Sequence, residues 1–378
     1  MKQLFFILDF CPPHRGGIEN VFENTISRLC KKGYHITLLT SRFDPKLKKS
    51  EQQDNLTIHR IGKGRSSFFW KAFRAGAKIL RNNPEIEIIH TSTYTSAIIG
   101  SVLGFLFKKK RILTVHEIFG ALRASFKPRY SSGIWKLCEW LIFCFPQEVY
   151  ACVSLYTLNS LRTRYGIKDQ KLQLLYNGVD TEFWSKEQVK ENTIKERKQK
   201  YQREGKYLML YYGHSGITKG IDYLVQAIPE LLQANPDAIL IFNLIHAKRD
   251  HLLRKTIKQQ AKKSGSPDRV VIFDGREVDK LRELVACVDL VIAPSLAEGF
   301  GSVHSEACAM EKILITTQLA AIPEVVSGKV IFIQPRSASA IVQGVERART
   351  GSIEAIAQKD FSREKNIQQL EQLYSDPS

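Results

Sequence analysis

The sequence predicts an α/β protein of two Rossmann-like domains with parallel sheets, and three observations carry that expectation. Short apolar runs alternate with stretches of helical periodicity from Leu4 to Ser154, the pattern of successive βαβ units. The alternation breaks at Asn177-Gly178-Val179-Asp180, and a charged run from Lys186 to Lys206 follows. It resumes at Tyr207 and repeats as far as Thr316, so one grammar is used twice. A length of 378 residues agrees with two cores at about 150 residues per domain.

Leu4 to Asp9 reads as a buried strand, and Pro12 to Gly17 as a turn-rich loop. Ile18, Val21, Phe22, Ile26 and Leu29 recur at helical spacing, Gly33 ends that helix, and Tyr34 to Thr40 is a second strand. The strand Ile86 to His90, an apolar helix near Ala97 to Phe107, and strands at Ile112 to His116 and Val149 to Ser154 complete the first half. In the second half, strands fall at Tyr207 to Tyr212, Ala238 to Asn243, Val270 to Phe273, Leu290 to Pro294 and Ile313 to Thr316. Ile367, Leu370 and Leu373 mark a terminal helix within Phe361 to Tyr374. The expected domains are 1–180 and 181–355, with 356–378 as a helix packing back on the first domain.

Composition excludes several classes. The hydrophobic share of 43% and charged share of 25% belong to folded globular protein. Seven cysteines, scattered and never spaced C-x-x-C, argue against a disulfide framework or a zinc site. Asp9 and a proline pair follow the first apolar run where a signal peptide would have a small-residue cleavage site. The stretches Ala97 to Phe107 and Trp140 to Phe145 are far shorter than the roughly 20 residues that cross a bilayer. A formal charge of +18 draws the chain toward anionic surfaces, and the basic run Lys108 to Arg111 after an apolar stretch points to a peripheral membrane contact. The expected location is cytoplasmic, on the inner face of a membrane.

Three clusters carry chemistry. Gly16 and Gly17 lie after the first strand and before a helix, where backbone approaches an anion and helix N–H groups point outward. Two glycines also satisfy an ordinary βα turn. Gly213, His214 and Lys219 follow another strand, and Lys219 opens a helix. An ammonium beside a glycine loop and a helix N-terminus suits a diphosphate. The third cluster is Pro294-Ser295-Leu296-Ala297-Glu298-Gly299-Phe300-Gly301, followed by a helix bearing Glu306. Two carboxylates there accept hydrogen bonds from the hydroxyls of one polyol, while Gly299 to Ser302 offer backbone N–H groups. Gly299-Phe300-Gly301 is no dinucleotide fingerprint, because His304 stands where its third glycine belongs.

These residues resemble the retaining GT-B glycosyltransferases of glycosyltransferase family 4 over nearly the whole chain. The resemblance rests on Gly16-Gly17-Ile18-Glu19, His116, Asn177 to Asp180, Lys219-Gly220, Glu298 with Glu306 (E-x7-E), and Ala321-Ile322-Pro323-Glu324. It implies the GT-B fold, two Rossmann-like domains whose sheets face across a cleft. It also implies a nucleotide-sugar donor with Lys219 on its diphosphate, Glu306 on ribose and Glu298 near the donor sugar. Gly16 and Gly17 would approach the phosphate, His116 the donor sugar, and Gly213, His214, Gly299, Phe300 and Gly301 complete the donor set. His116, Lys219 and Glu298 are the catalytic candidates. The resemblance implies transfer with retention of configuration and with neither metal nor cofactor, and in agreement no aspartates of this sequence stand in D-x-D. The acceptor is a glycan or lipid-linked molecule, recognised by the amino-terminal half, in cell-envelope or exopolysaccharide synthesis.

Two positions depart from the family. His214 replaces the usual arginine, and Glu311-Lys312-Ile313 replaces a glycine-x-proline turn. Two other readings stay open here: a sugar-nucleotide epimerase of the same architecture, and a basic polyanion-binding protein without catalysis. No nucleic-acid motif supports the latter.

Overall fold

A computed structural model describes residues 2–14, 16–118, 129–200, 205–244, 251–275 and 277–376. They form two compact units, Met1–Gly178 with Arg363–Ser378, and Val179–Ser362. The first junction falls at 178/179. The second falls at 362/363 instead of the expected 355/356, because Glu354–Ile356 still pairs as a strand of the second sheet.

The first sheet contains β1 (Gln3–Leu8), β2 (His35–Ser41), β3 (Ser50–Gln53), β4 (Leu56–Ile61), β5 (Ile86–Ser92), β6 (Lys110–Val115), β7 (Val149–Cys152) and β8 (Leu172–Leu174). Their order is β3-β4-β2-β1-β5-β6-β7-β8. All neighbours run parallel except β3 and β4. The sequence QLFFIL of β1 is buried from its second residue on, as a central strand covered on both faces must be. Phe5 and Ile7 pack with Phe68, Ile99 and Leu103 of the helices Arg65–Asn82 and Thr95–Phe107. Leu4 and Phe6 face the other way, onto Phe22 and Ile26 of the helix Gly17–Lys31 and Leu370 and Tyr374 of the helix Arg363–Ser375. Each such side chain, fully buried, contributes about 1.5–3 kcal/mol. Gly33, at φ 91°, ends the first helix, and the N–H of Tyr34 closes on the carbonyl of Leu29.

The second sheet contains β9 (Tyr207–Gly213), β10 (Ala238–Leu244), β11 (Val270–Asp274), β12 (Leu290–Ala293), β13 (Ile313–Thr317), β14 (Gly328–Ile333) and β15 (Glu354–Ile356). Their order is β11-β10-β9-β12-β13-β14-β15, parallel except for β15. The chain moves outward from β9 through β10 to β11, then crosses back to β12 on the opposite side of β9. β9 and β12 therefore flank the topological switch point, where loops leaving adjacent strands diverge and open a crevice.

Candidate active site

The loop after β9 is pinned against the loop after β12. Gly220 adopts φ 65°, and a Cβ there would collide with the carbonyl oxygen of Pro294, so backbone lies on backbone. The N–H groups of Leu296 and Ala297 both donate to the carbonyl of Thr218, at 2.7 and 3.2 Å. These contacts hold Lys219 over the carboxyl end of β12. Its Nζ lies 2.8 Å from each carboxylate oxygen of Glu298, and Ser295 Oγ donates to Oε1 at 2.7 Å.

Glu298 is buried, whereas the Lys219 side chain keeps 26% of its exposure. Burial pushes the Glu298 carboxyl upward, but the charge of Lys219 and the side-chain hydrogen bonds from Lys219 and Ser295 outweigh it, and the group is held below the ordinary range. The sequence assigned the lysine and the glutamate to different parts of one donor. In the structure they contact each other directly.

Gly301 caps the helix Ser302–Ala309 at φ 96°. One turn in, the completely buried His304 places Nε2 2.9 Å from Thr316 Oγ1, whose hydroxyl donates to the carbonyl of Ala293 at 2.9 Å. Thr316 therefore receives the Nε2 proton, and Nδ1, beside Gly301, has no partner among the described residues. Burial pulls His304 down to about 4, with the Glu298 carboxylate opposing, so the ring is neutral. Glu306, half-buried on the same helix, lies beside Tyr212. The Tyr212 hydroxyl donates to the carbonyl of Val303 at 3.0 Å, and burial and then Glu306 push it well above 10.

Gly213 ends β9 at φ 130°, and the carbonyl of the half-buried His214 accepts from Tyr211 Oη at 2.8 Å. Gly299 is half-buried. Phe300 is a packing residue, its ring set edge-on against Phe361 at 5.4 Å. Glu311, in place of the family's glycine, adopts φ 54°, the left-handed conformation that glycine suits.

The amino-terminal unit gathers its own group. Gly16 is extended, with φ −166°, and Gly17 begins the helix. The Glu19 carboxylate lies against Gly16, held by His14 Nδ1 at 3.1 Å, so the chain supplies its own anion at this helix terminus. His116, just past β6, is buried edge-on against Phe22 at 5.5 Å, and its Nε2 has no partner among the described residues. Burial pulls its pKa down to about 4, with Glu19 opposing. Deeper in the same unit, His90 bonds Tyr374 Oη at 2.6 Å and Thr114 Oγ1 at 2.7 Å, and burial draws it down to about 3.

Sequence reasoning gave Ser295, His304 and Tyr212 no part in the site. Ser295 lay inside the quoted motif, where its place at a strand's carboxyl end was the available signal. His304 was visible only as a departure from a glycine pattern, and Tyr212 only as a strand residue.

Two parallel-sheet units with polar groups gathered beyond the strands' carboxyl ends define the GT-B class of fold. The model for Glycosyltransferase Family 4 matches residues 15–183, and that for Glycosyl transferases group 1 matches residues 192–367. The chain belongs to this group 1 family of glycosyltransferases. It is 22% identical to a phosphatidylinositol N-acetylglucosaminyltransferase subunit of Saccharomyces cerevisiae, over 90% of this chain and 74% of that one. Its fold matches sucrose-phosphate synthase of Thermosynechococcus elongatus with a TM-score of 0.81, at 18% identity, over 99% of this chain and 98% of that one. It also matches the Anabaena protein HepE, solved with UDP and glucose, with a TM-score of 0.77, at 16% identity and over 100% of both chains.

Proposed function

We propose that this glycosyltransferase moves a sugar, with retention of configuration and without a metal ion, from a nucleotide-sugar donor to a glycan or lipid-linked acceptor. The observation that carries this proposal is the Lys219–Glu298–Ser295 cluster at the switch point of the second sheet, next to the helix bearing Glu306. A diphosphate arriving there competes with Glu298 for the ammonium of Lys219, and the released carboxylate accepts from donor-sugar hydroxyls. Lys219 then stabilises charge on the leaving diphosphate, and Glu306 binds ribose. The UDP and glucose of the HepE structure support a nucleotide-sugar donor.

In the amino-terminal unit, the unmatched Nε2 of His116 suits a sugar hydroxyl, with Gly16 and Gly17 approaching the phosphate. A cavity of about 430 Å³ in that unit, lined by Leu8, Cys11, Phe22, Ile26, Leu38 and Ile58, suits an apolar acceptor segment. The name of the yeast relative, which carries phosphatidylinositol, also favours a lipid acceptor, as does the net charge of +18 at an anionic membrane. Envelope or exopolysaccharide synthesis fits such an acceptor.

The test is turnover with a panel of UDP-, GDP- and ADP-sugars, with and without EDTA, for wild type, Glu298→Gln and Glu306→Gln. Glu298→Gln is expected to lower kcat, and Glu306→Gln chiefly to raise the donor KM. Full activity of both variants with every accepted donor would overturn the assignment, and abolition by EDTA would overturn metal independence.

A further inference from the structure

Ten large hydrophobic side chains stand exposed among the described residues, and six of them lie on three helices of the amino-terminal unit. Trp70, 74% exposed, is on the helix Arg65–Asn82; Phe105 (74%) and Leu106 (65%) are on Thr95–Phe107; Leu137, Trp140 and Leu141 are on Arg129–Cys144. The three helices pack side by side on one face of the first sheet. Phe68, Ile99 and Leu103 bind the first two to Phe5 and Ile7, while Ala97, Ile142 and Phe143 bind the second and third to Leu113 and Val115. The guanidinium of Arg81 lies 5.8 Å over the Phe107 ring, and Ser101 Oγ donates to the carbonyl of Pro146 at 2.8 Å.

The outer side of this layer is charged with one sign. Lys71, Arg74, Lys78 and Arg81 are exposed on the first helix, Lys108 caps the second, and Lys136 is exposed on the third. The first two helices contain no carboxylate, and Glu139 of the third is buried. The basic run Lys108 to Arg111, which the sequence offered as the membrane contact, is mostly used inside the unit. Lys109 binds the carbonyl of Pro84, Lys110 those of Leu373 and Asp376, and Arg111 the carboxylate of Glu148. Residues 97–104 of the apolar stretch are buried or half-buried, so only its last residues reach water.

We infer that this three-helix face is a docking surface for an anionic lipid bilayer, with the helices lying in the membrane plane. Tryptophan, phenylalanine and leucine enter at headgroup depth, and the lysines and arginines meet lipid phosphates. A second copy of the chain would set cations against cations. A polynucleotide would find leucines, which offer no π-face, between the aromatic rings. A bilayer accepts both kinds of side chain at once, and an exposed patch of this make-up marks an interaction site.

The face shares no residue with the donor cluster, and its test uses neither donor nor acceptor. A failure here therefore leaves the proposed transfer reaction standing, and the reverse also holds. Full-length protein is sedimented with vesicles of phosphatidylcholine alone and of phosphatidylcholine with phosphatidylglycerol, at low and high salt. Wild type is expected to bind the anionic vesicles selectively, with a blue shift of tryptophan emission. The combined variant Lys71→Gln, Arg74→Gln, Lys78→Gln is expected to bind about a hundredfold more weakly and to lose most of its salt dependence. Phe105→Ser with Leu106→Ser is expected to weaken binding about tenfold at every salt concentration. These side chains are exposed, so the variants retain the fold, which circular dichroism checks. Equal binding to both vesicle types, or wild-type binding by both variants, overturns the proposal. So does a mass-dependent dimer, or retention on an oligonucleotide, that the same substitutions abolish while vesicle binding persists.

Discussion

At the carboxyl ends of β9 and β12 a buried carboxylate is neutralised by a lysine 2.8 Å away. At the end of β6, by contrast, a buried imidazole sits against an aromatic ring with its Nε2 unmatched. The difference follows from what burial does to each group. An ionised carboxylate out of water costs several kcal/mol unless its partner is in the same fold, so Glu298 must bring Lys219 and Ser295 with it. A histidine escapes that cost by staying neutral, and one unfilled acceptor or donor costs only about 1–3 kcal/mol. The Glu298 carboxylate is therefore satisfied within the fold, whereas His116 Nε2, like His304 Nδ1, is left without a partner among the described residues.

That contrast fails most visibly if Lys219 can be removed harmlessly. Lys219→Ala is expected to cost on the order of 3 kcal/mol in denaturant unfolding, because Glu298 is left buried without its counter-charge. Lys219→Met with Glu298→Leu should recover most of that loss. A single variant as stable as wild type would show that water already screens the pair.

Acid titration sharpens the comparison from the other side. His116 and His304 titrate near 4 and His90 near 3 in the folded chain, all displaced downward by burial. The unfolded chain takes up protons from about pH 6.5 downward that the folded chain refuses. Stability therefore falls as pH drops from about 6.5 toward 4, by about 1.4 kcal/mol per pH unit for each histidine. Glu298, held below its ordinary value, adds its loss only at lower pH, once the unfolded carboxylates protonate. His116→Gln should reduce the slope between pH 6 and 4.5 by one proton, read from unfolding at several pH values; an unchanged slope would place His116 in water.

Smaller effects test the supports of each unit. Tyr374→Phe removes a 2.6 Å bond to buried His90, with an expected cost of about 2 kcal/mol and faster proteolysis of the terminal helix. Protection equal to wild type would mean that this bond contributes little. Glu311→Gly relieves a left-handed non-glycine residue at φ 54° and is expected to raise stability by about 0.5 kcal/mol, after glycine's entropy in the unfolded chain is subtracted. A lower melting temperature would show that the Glu311 side chain contributes more than its backbone conformation costs.

The central parallel strands were legible because double-sided burial writes them as unbroken apolar runs, as in β1 and β10, whereas β4, β8 and β14, also parallel but less deeply buried, were not read as strands. The antiparallel edge strands were not. Ser50–Gln53 and Glu354–Ile356 are short, polar and largely exposed, and they pair antiparallel at the margins, where no core selects their side chains. The candidate site was legible as positions, because glycines and acids after strands advertise a crevice. Its pairing was not, since the contact between Lys219 and Glu298 depends on β12 lying next to β9, a neighbourhood created by a crossover and not by spacing. His304 escaped notice for a related reason: its role comes from Thr316 on β13.

The helix Arg363–Ser375 belongs to the first unit, yet it is translated after the whole of the second. Ile367, Leu370, Leu373 and Tyr374 cover Leu4 and Phe6, and Lys2 Nζ meets the carbonyl of Tyr374 at 2.6 Å. On the ribosome, the first unit must therefore wait with one face of its sheet only partly covered while the second unit emerges and folds. A nascent chain stopped before Arg363 would be a finished carboxyl-terminal unit tethered to a half-dressed amino-terminal one. The order of synthesis and the order of completion run in opposite directions along this chain.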